Sequence, residues 1–228
     1  MIEKHIKILQ QRFDDTDSCL RLDAQATLQD VYEAPNCHEL FHQTLSGPIS
    51  WQKRNGITLA EAIYSPNLAP QWVAALLALG TRSAFPDGDG MLIDFLRRTG
   101  TRHNHLQAVL VPLNVPGRVW GEAHVGRTPT DDPIVSAIAI VDLDEEVVRR
   151  ARLALTGVWR EHVRLAGAAK LLVGQPLNHA TIEQVNDAVE EEVSPQDDFR
   201  GTAVYRRAVA GVLTRRALIA CMETGSQQ

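Results

Sequence analysis

Trp51–Thr81 reads WQKRNGITLAEAIYSPNLAPQWVAALLALGT, and its order of features sets the expected fold. A polar loop, Gln52–Gly56, leads into a passage of small residues, Thr58–Leu59–Ala60–Glu61–Ala62. Ser65–Pro66–Asn67 forms a turn. The apolar run Gln71–Leu79 then predicts a short buried helix stopped by Gly80. Small residues let a neighbouring backbone or a ligand approach closely. With the pair Arg54–Asn55 before it, the passage Thr58–Leu59–Ala60–Glu61 suits a loop carried close to a ligand or a neighbouring backbone.

Upstream, Met1–Phe13 spaces Ile2, Ile6, Leu9 and Phe13 near a helical period and predicts an N-terminal helix. Cys19–Leu22 reads as a short strand. Thr27 can N-cap a turn through Leu28 and Val31, Pro35–Asn36 breaks it, and His38–Leu45 gives a second helix. Downstream, Ser83–Phe85 reads as a strand entering the turn Pro86–Gly90. Asp87 and Asp89 lack the further oxygen ligands that a calcium loop requires. Met91–Arg97 follows as a second strand or a helical turn. Arg102–His105 has no third or fourth metal ligand nearby and reads as a solvated loop. Leu106–Leu113 is an apolar strand.

From Asn114 the composition changes. Val119–Val125, Ile134–Leu143 and Val148–Val158 predict an antiparallel meander with the second strand central. Val163–Val173, Asn178–Val193 and Thr202–Met222 then predict three helices. On the last of these, Tyr205, Val209, Val212 and Ile219 form the expected inward stripe. Glu190–Glu192 opposes the helix dipole and reads as a solvated face. Asp197–Asp198 can cap the final helix, and Gly225–Gln228 is a frayed tail.

At 228 residues, with 44% hydrophobic and 22% charged residues, the chain is ordinary for a soluble globular protein. A net charge of -5 with dispersed basic residues argues against nucleic acid. No apolar run approaches membrane-spanning length. Cys19, Cys37 and Cys221 are far apart, as expected of free thiols in a reducing cytoplasm. There is no nucleophile elbow, zinc motif or P-loop, so no catalysis is expected of this chain alone.

Several segments resemble the medium, FAD-binding subunits of the molybdenum hydroxylases, the carbon monoxide dehydrogenase and xanthine dehydrogenase group. Arg54 and Asn55 stand where the family has Arg-Asn, and Thr58–Ala62 where it has Thr-Ile-Gly-Gly-Asn around the flavin diphosphate. Ala75–Gly80 matches the family's following helix. Arg21–Leu28 looks like its Arg-Ile-Gly-Ala-x-Thr-Thr segment. Arg152–Val158, Gly174–Leu177, Asp198–Arg207 and Leu213–Leu218 resemble four further family motifs in the same order. The differences bear on function. The two glycines are Ala60 and Glu61, the family's Asp after the turn is Ala69, and no Gly-Gly pair occurs in the chain. Nothing in Met1–Ser18 resembles the small subdomain with which family members begin. Glycine-rich loops hold phosphate through backbone N–H groups at short range. A carboxylate about 4 Å from a diphosphate charge costs roughly 1–4 kcal/mol at surface dielectrics.

Two functional readings follow. The first is a flavoprotein-like chain impaired in FAD binding, with no cofactor in isolation, acting as a scaffold or interaction subunit; Glu61 then pairs with Lys53 or Arg54. The second is an FAD-binding electron-transfer subunit of a molybdenum-dependent dehydrogenase, with a partner chain supplying the missing loop. A fragment of a longer product is a third possibility, against which Met1 and the first helix argue. The expected partners are further copies of the chain or molybdenum and iron–sulfur subunits. The expected fold is α+β. Residues 1–113 form a sheet-and-helix remnant of the flavin domain, and 114–228 a three-stranded antiparallel sheet on a three-helix bundle. A face left uncovered is expected to be polar or buried by dimerisation.

Overall fold

The structure, a computed structural model, describes residues 6–9, 16, 18–35, 37–47, 49–97, 105–128 and 131–225. Two units divide the chain, Met1–Val115 and Pro116–Gln228. Helices and antiparallel sheets are segregated within each, the expected α+β class.

The first unit is built on strands β1 (Ile6–Leu9), β2 (Cys19–Asp23), β3 (Arg82–Phe85), β4 (Gly88–Met91) and β5 (Ala108–Pro112). They pair antiparallel in the order β1-β2-β5-β3-β4. Every residue of β5 is buried, as an unbroken apolar run at a sheet centre should be. Residues 6–9 are strand rather than helix. Ile6 pairs with Leu22 and Leu9 with Cys19, and four residues are too few for periodicity to outweigh a sheet edge. The rest of that expected helix, and Arg102–Asn104, lie outside the described residues.

Among the described residues, six α-helices accompany this sheet: α1 (Leu28–Glu33), α2 (Glu39–Leu45), α3 (Trp51–Gly56), α4 (Leu59–Tyr64), α5 (Pro70–Leu79) and α6 (Leu92–Arg97). α5 is buried along Gln71–Leu79, the fate of a helix that is apolar all round. Gly80 ends it at φ 73°, donating its N–H to the Leu76 and Leu77 carbonyls. α2 packs on α5, with Phe41 and Trp72 ring centroids 6.1 Å apart and both side chains fully buried. Each such aromatic stabilises by about 2–3 kcal/mol.

The second unit pairs β6 (Arg118–Val125), β7 (Val135–Asp144), β8 (Val147–Thr156) and β9 (Val163–Leu165) in that order, all antiparallel. β7 is buried on both faces from Val135 to Asp142. Asp142 at its end is held by Arg118 through bonds of 2.6 and 2.9 Å. The segment expected as one helix, 163–173, is instead β9 followed by a 3-10 turn, Gly167–Leu172. Glu192 caps that turn, its carboxylate accepting from the N–H groups of Gly167 and Ala168, each at 2.9 Å. One member of the acidic run therefore serves a helix N-terminus rather than solvent.

α7 (His179–Glu192), N-capped by Asn178, and α8 (Ala203–Gly225) complete the unit. α8 lies so close on β6 that a Cβ at Gly121 would stand 2.0 Å from the Ala217 carbonyl oxygen. Its buried side is Arg206, Ala210, Leu213, Thr214, Ala217, Leu218 and Cys221. Of the expected inward stripe, Tyr205 (42% exposed) and Val212 (47%) turn outward, while Val209 and Ile219 are half-buried against the core. Apolar residues ring α8, so pattern alone does not select a face. The buried Arg206 selects it. Its Nη1 donates to the carbonyls of Ile134 (3.1 Å) and Gly157 (2.8 Å), and its Nη2 pairs with Asp198 at 2.6 Å. Burial opposes ionisation of Asp198, but Arg206 and the N–H groups of Arg200 and Gly201 outweigh it and lower its pKa.

Candidate functional site

The sequence-selected residues fall on the end of α3 and the start of α4. Gln52–Gly56 is helical, with Ser50 as N-cap, where a polar loop is expected from its composition. Arg54 faces inward. Its Nε donates to Gln29 Oε1 (2.8 Å), and its Nη1 to the carbonyls of Leu45 (2.9 Å) and Ile49 (2.6 Å). Its guanidinium lies 4.5 Å from the centre of the Tyr32 ring. Asn55 turns back to the Trp51 carbonyl at 2.9 Å. Both polar groups are engaged by the chain itself.

Thr58 is the N-cap of α4, and Glu61 completes a capping box. Glu61 Oε2 accepts from the Thr58 N–H (2.8 Å) and from its hydroxyl (2.9 Å), and the Glu61 N–H reaches Thr58 Oγ1 at 3.3 Å. Glu61 thus binds Thr58, in place of the Lys53 or Arg54 partner expected from sequence. The hydrogen bonds from the Thr58 backbone and side chain hold its carboxyl below the ordinary value of 4.5. Leu59 N–H donates to Ala26 O and Ala60 N–H to Ala24 O, each at 2.9 Å, and Ala62 N–H donates to Thr58 O at 3.0 Å. All five backbone donors from 58 to 62 are used inside the protein. Leu59 is fully buried.

The same arrangement occurs again opposite. Thr27 caps α1 in a capping box closed by Asp30, whose Oδ2 accepts from the Thr27 N–H and hydroxyl, both at 2.8 Å. Thr27 and Thr58 form an antiparallel bridge. Leu28 N–H donates to Ile57 O (3.0 Å), and Leu59 N–H returns to Ala26 O. The two short helices therefore start side by side, each with a carboxylate at its N-terminus where the dipole favours an anion. The signal for this pair is Thr27–Leu28–Gln29–Asp30 beside Thr58–Leu59–Ala60–Glu61, two capping-box patterns. Sequence reasoning found the first cap and missed the second, along with Ala24 and Ala26 as acceptors.

Nothing else in the described residues gathers into a reactive centre. No three His, Cys, Asp or Glu side chains there form a group able to hold a metal ion. Burial pushes all three thiols up, Cys37 to about 12, away from reactive thiolates. No described helix is long and apolar enough to cross a membrane.

Residues 124–221 match the CO dehydrogenase flavoprotein C-terminal domain. Over that segment the chain is similar to carbon monoxide dehydrogenase flavoproteins. It is 27% identical over 216 residues to the uncharacterised protein YgfM of Escherichia coli (strain K12), spanning 94% of this chain and 77% of YgfM. It is 25% identical over 173 residues to the glyceraldehyde dehydrogenase medium chain of Sulfolobus acidocaldarius, spanning 73% of this chain and 62% of that one. Its fold is that of a chain of carbon monoxide dehydrogenase from Hydrogenophaga pseudoflava. The TM-score is 0.80 at 21% identity, over 96% of this chain and 77% of the other.

Two of the segments with a family resemblance are Arg21–Leu28, like the Arg-Ile-Gly-Ala-x-Thr-Thr strand and turn, and Thr58–Ala62, like the flavin diphosphate loop. The structure brings them together through the Thr27–Thr58 bridge. It fills the space between them with main-chain hydrogen bonds.

Proposed function

We propose that this chain is a medium-subunit homologue impaired in FAD binding, which acts as a scaffold or interaction subunit rather than as an electron carrier in isolation. One observation carries this reading: the donors of Thr58, Leu59, Ala60, Glu61 and Ala62 are all bound internally. A diphosphate seated there would have to displace the two hydrogen bonds from Leu59 and Ala60 to the Ala26 and Ala24 carbonyls and approach the Glu61 carboxylate. Each buried donor or acceptor left without a partner costs about 1–3 kcal/mol, and the carboxylate adds repulsion of the same order. The residues present therefore do not fit a flavin diphosphate in the arrangement they adopt.

The test is the purified chain incubated with excess FAD and then desalted. Absence of flavin absorbance supports the proposal, and near-equimolar retained flavin overturns it.

The retained fold favours a second reading. A likeness spanning 96% of the chain, with named relatives that are dehydrogenase medium chains, is also what an electron-transfer subunit would keep. In that case a partner chain supplies the missing contacts. Flavin would then appear only in a co-purified complex, which separates the two readings.

A further inference from the structure

We propose that the segment between α7 and α8, residues 194–202, is a strap latched by charge, which lifts from the start of α8 while the rest of the second unit stays folded. The segment has no helix or strand of its own, and its middle closes on itself. Asp198 and Gly201 exchange N–H to carbonyl hydrogen bonds, both at 3.2 Å. Asp198 Oδ1 also accepts from the N–H groups of Arg200 (2.7 Å) and Gly201 (3.1 Å), the local turn that an aspartate side chain favours. All of these bonds lie within the turn and survive when it moves as one piece.

Charged and polar groups, not apolar packing, tie the turn to its surroundings. Phe199, its one large apolar side chain, is 80% exposed. Arg127 donates through Nη2 to the Phe199 carbonyl, and Asp197 accepts from the Ala203 N–H at the start of α8. Arg200 stands 3.8 Å from Asp132, with both side chains well exposed, and such a surface pair holds weakly. The strong tie is Asp198 Oδ2 to Arg206 Nη2 at 2.6 Å, a charge-assisted bond with one partner out of water. This latch is asymmetric. The Arg206 side chain is 6% exposed, and the Ile134 and Gly157 carbonyls hold its Nη1 to the body of the unit. The Asp198 side chain is 43% exposed and belongs to the strap. Opening therefore returns a half-wet carboxylate to water and leaves the guanidinium where two carbonyls already hold it. Segments with little buried apolar surface and exposed hydrogen bonds open locally, well below the free energy of global unfolding. Closed, the strap covers the Ala203 N–H and the Arg206 guanidinium; open, it gives both to solvent and makes a buried cation reachable. This inference does not depend on the flavin reading.

Hydrogen exchange on the full chain, read residue by residue by NMR at urea concentrations below the unfolding transition, tests it. The reporter is the Ala203 amide, whose bond to Asp197 joins strap to helix. Ile138 and Ala139, in the strand paired on both sides, report unfolding of the unit. Ala203 should exchange at least about a hundredfold faster than these β7 amides. Its rate should hardly change with urea, because opening exposes little surface, while the β7 rates climb. Asp198→Asn keeps an oxygen for the Arg200 and Gly201 N–H groups but loses the charge, and should speed Ala203 at least about tenfold. Phe199→Ala should leave the Ala203 rate within about twofold. Exchange of Ala203 at the β7 rate, with the same urea dependence, overturns the proposal. So does an unchanged Ala203 rate in Asp198→Asn. Equal acceleration by Phe199→Ala would place the hold in the ring rather than the latch, and overturns it too.

Discussion

Glu61 is the residue at which the cap and the lost ligand can be separated. Its carboxylate holds the Thr58 N–H and hydroxyl at 2.8 and 2.9 Å, and it is exposed, so its contribution is that of a cap rather than of a buried ion pair. Glu61→Ala removes the box and should cost about 1 kcal/mol, the usual worth of a capping interaction. In a unit of this size that lowers the first thermal transition by about 4 °C. Glu61→Gln keeps the box, since glutamine can make the same bonds, and should lose only a few tenths of that. The pH dependence distinguishes charge from geometry. Because the folded-state value is depressed below 4.5, the carboxylate contributes stability that is fully present above 4.5 and disappears as pH falls through the depressed value. Urea unfolding of the wild type should show that loss, and Glu61→Gln should be flat across it. Neither variant should bind FAD, because the donors of Leu59 and Ala60 remain held by Ala26 and Ala24. A Glu61→Gln protein that retained flavin would refute the reasoning, since repulsion alone would then have been the barrier.

Four further outcomes are expected. Gly121→Ala drives a Cβ to 2.0 Å from the Ala217 carbonyl oxygen and 2.9 Å from Ala220 Cβ, so it should destabilise the second unit by about 3 kcal/mol. Gly90→Ala, with nothing within 4 Å of its new Cβ, should stay within about 0.5 kcal/mol by denaturant titration. Arg54→Lys keeps the charge but loses the fork that reaches Gln29 and two carbonyls, and should lower the first unit's melting temperature nearly as far as Arg54→Ala. His124, bonded to Glu122 at 2.6 Å, has its pKa raised by that bond against the opposing effect of burial. Its stabilisation is complete below 6.5 and fades as pH rises through the raised value; NMR titration should place that midpoint above 6.5, and Glu122→Gln should return it toward the ordinary value.

Where sequence reading succeeded, a single local force decided the structure. α5 and Gly80 were legible because an unbroken apolar run ending in glycine has few other outcomes. The Thr27 cap and the central β7 follow for similar reasons. It failed where tertiary partners decided. Residues 163–165 became a strand because Leu165 pairs with Ala154 at the edge of β8. The inward face of α8 was set by Arg206, an arginine that any hydropathy pattern places outside. The composition of the candidate loop described a ligand-binding passage, and its hydrogen bonds describe a helix start. Small residues at Ala24, Ala26 and Ala60 permit close approach, and what approached is the chain's own backbone.

On the proposed reading, that exchange bears on how such a fold persists without a flavin. A ligand present at a thousand times its dissociation constant stabilises its host by about 4 kcal/mol, and a chain that gives up the ligand gives up that term. The two capping boxes, at about 1 kcal/mol each, and the paired Leu28–Ile57 and Leu59–Ala26 hydrogen bonds, also about 1 kcal/mol each net, together amount to a similar sum. On the proposed reading Asp30 and Glu61 occupy the positive helix termini permanently, as covalently attached anions whose effective concentration never falls. Removing both carboxylates, Asp30→Ala with Glu61→Ala, should then cost about 2 kcal/mol or somewhat more, because the bridged helix starts share hydrogen bonds and neighbouring caps need not add independently. Added inorganic phosphate should recover none of the loss as long as Leu59 and Ala60 keep their partners, and recovery in a melting experiment would show that the site had remained open to an external anion.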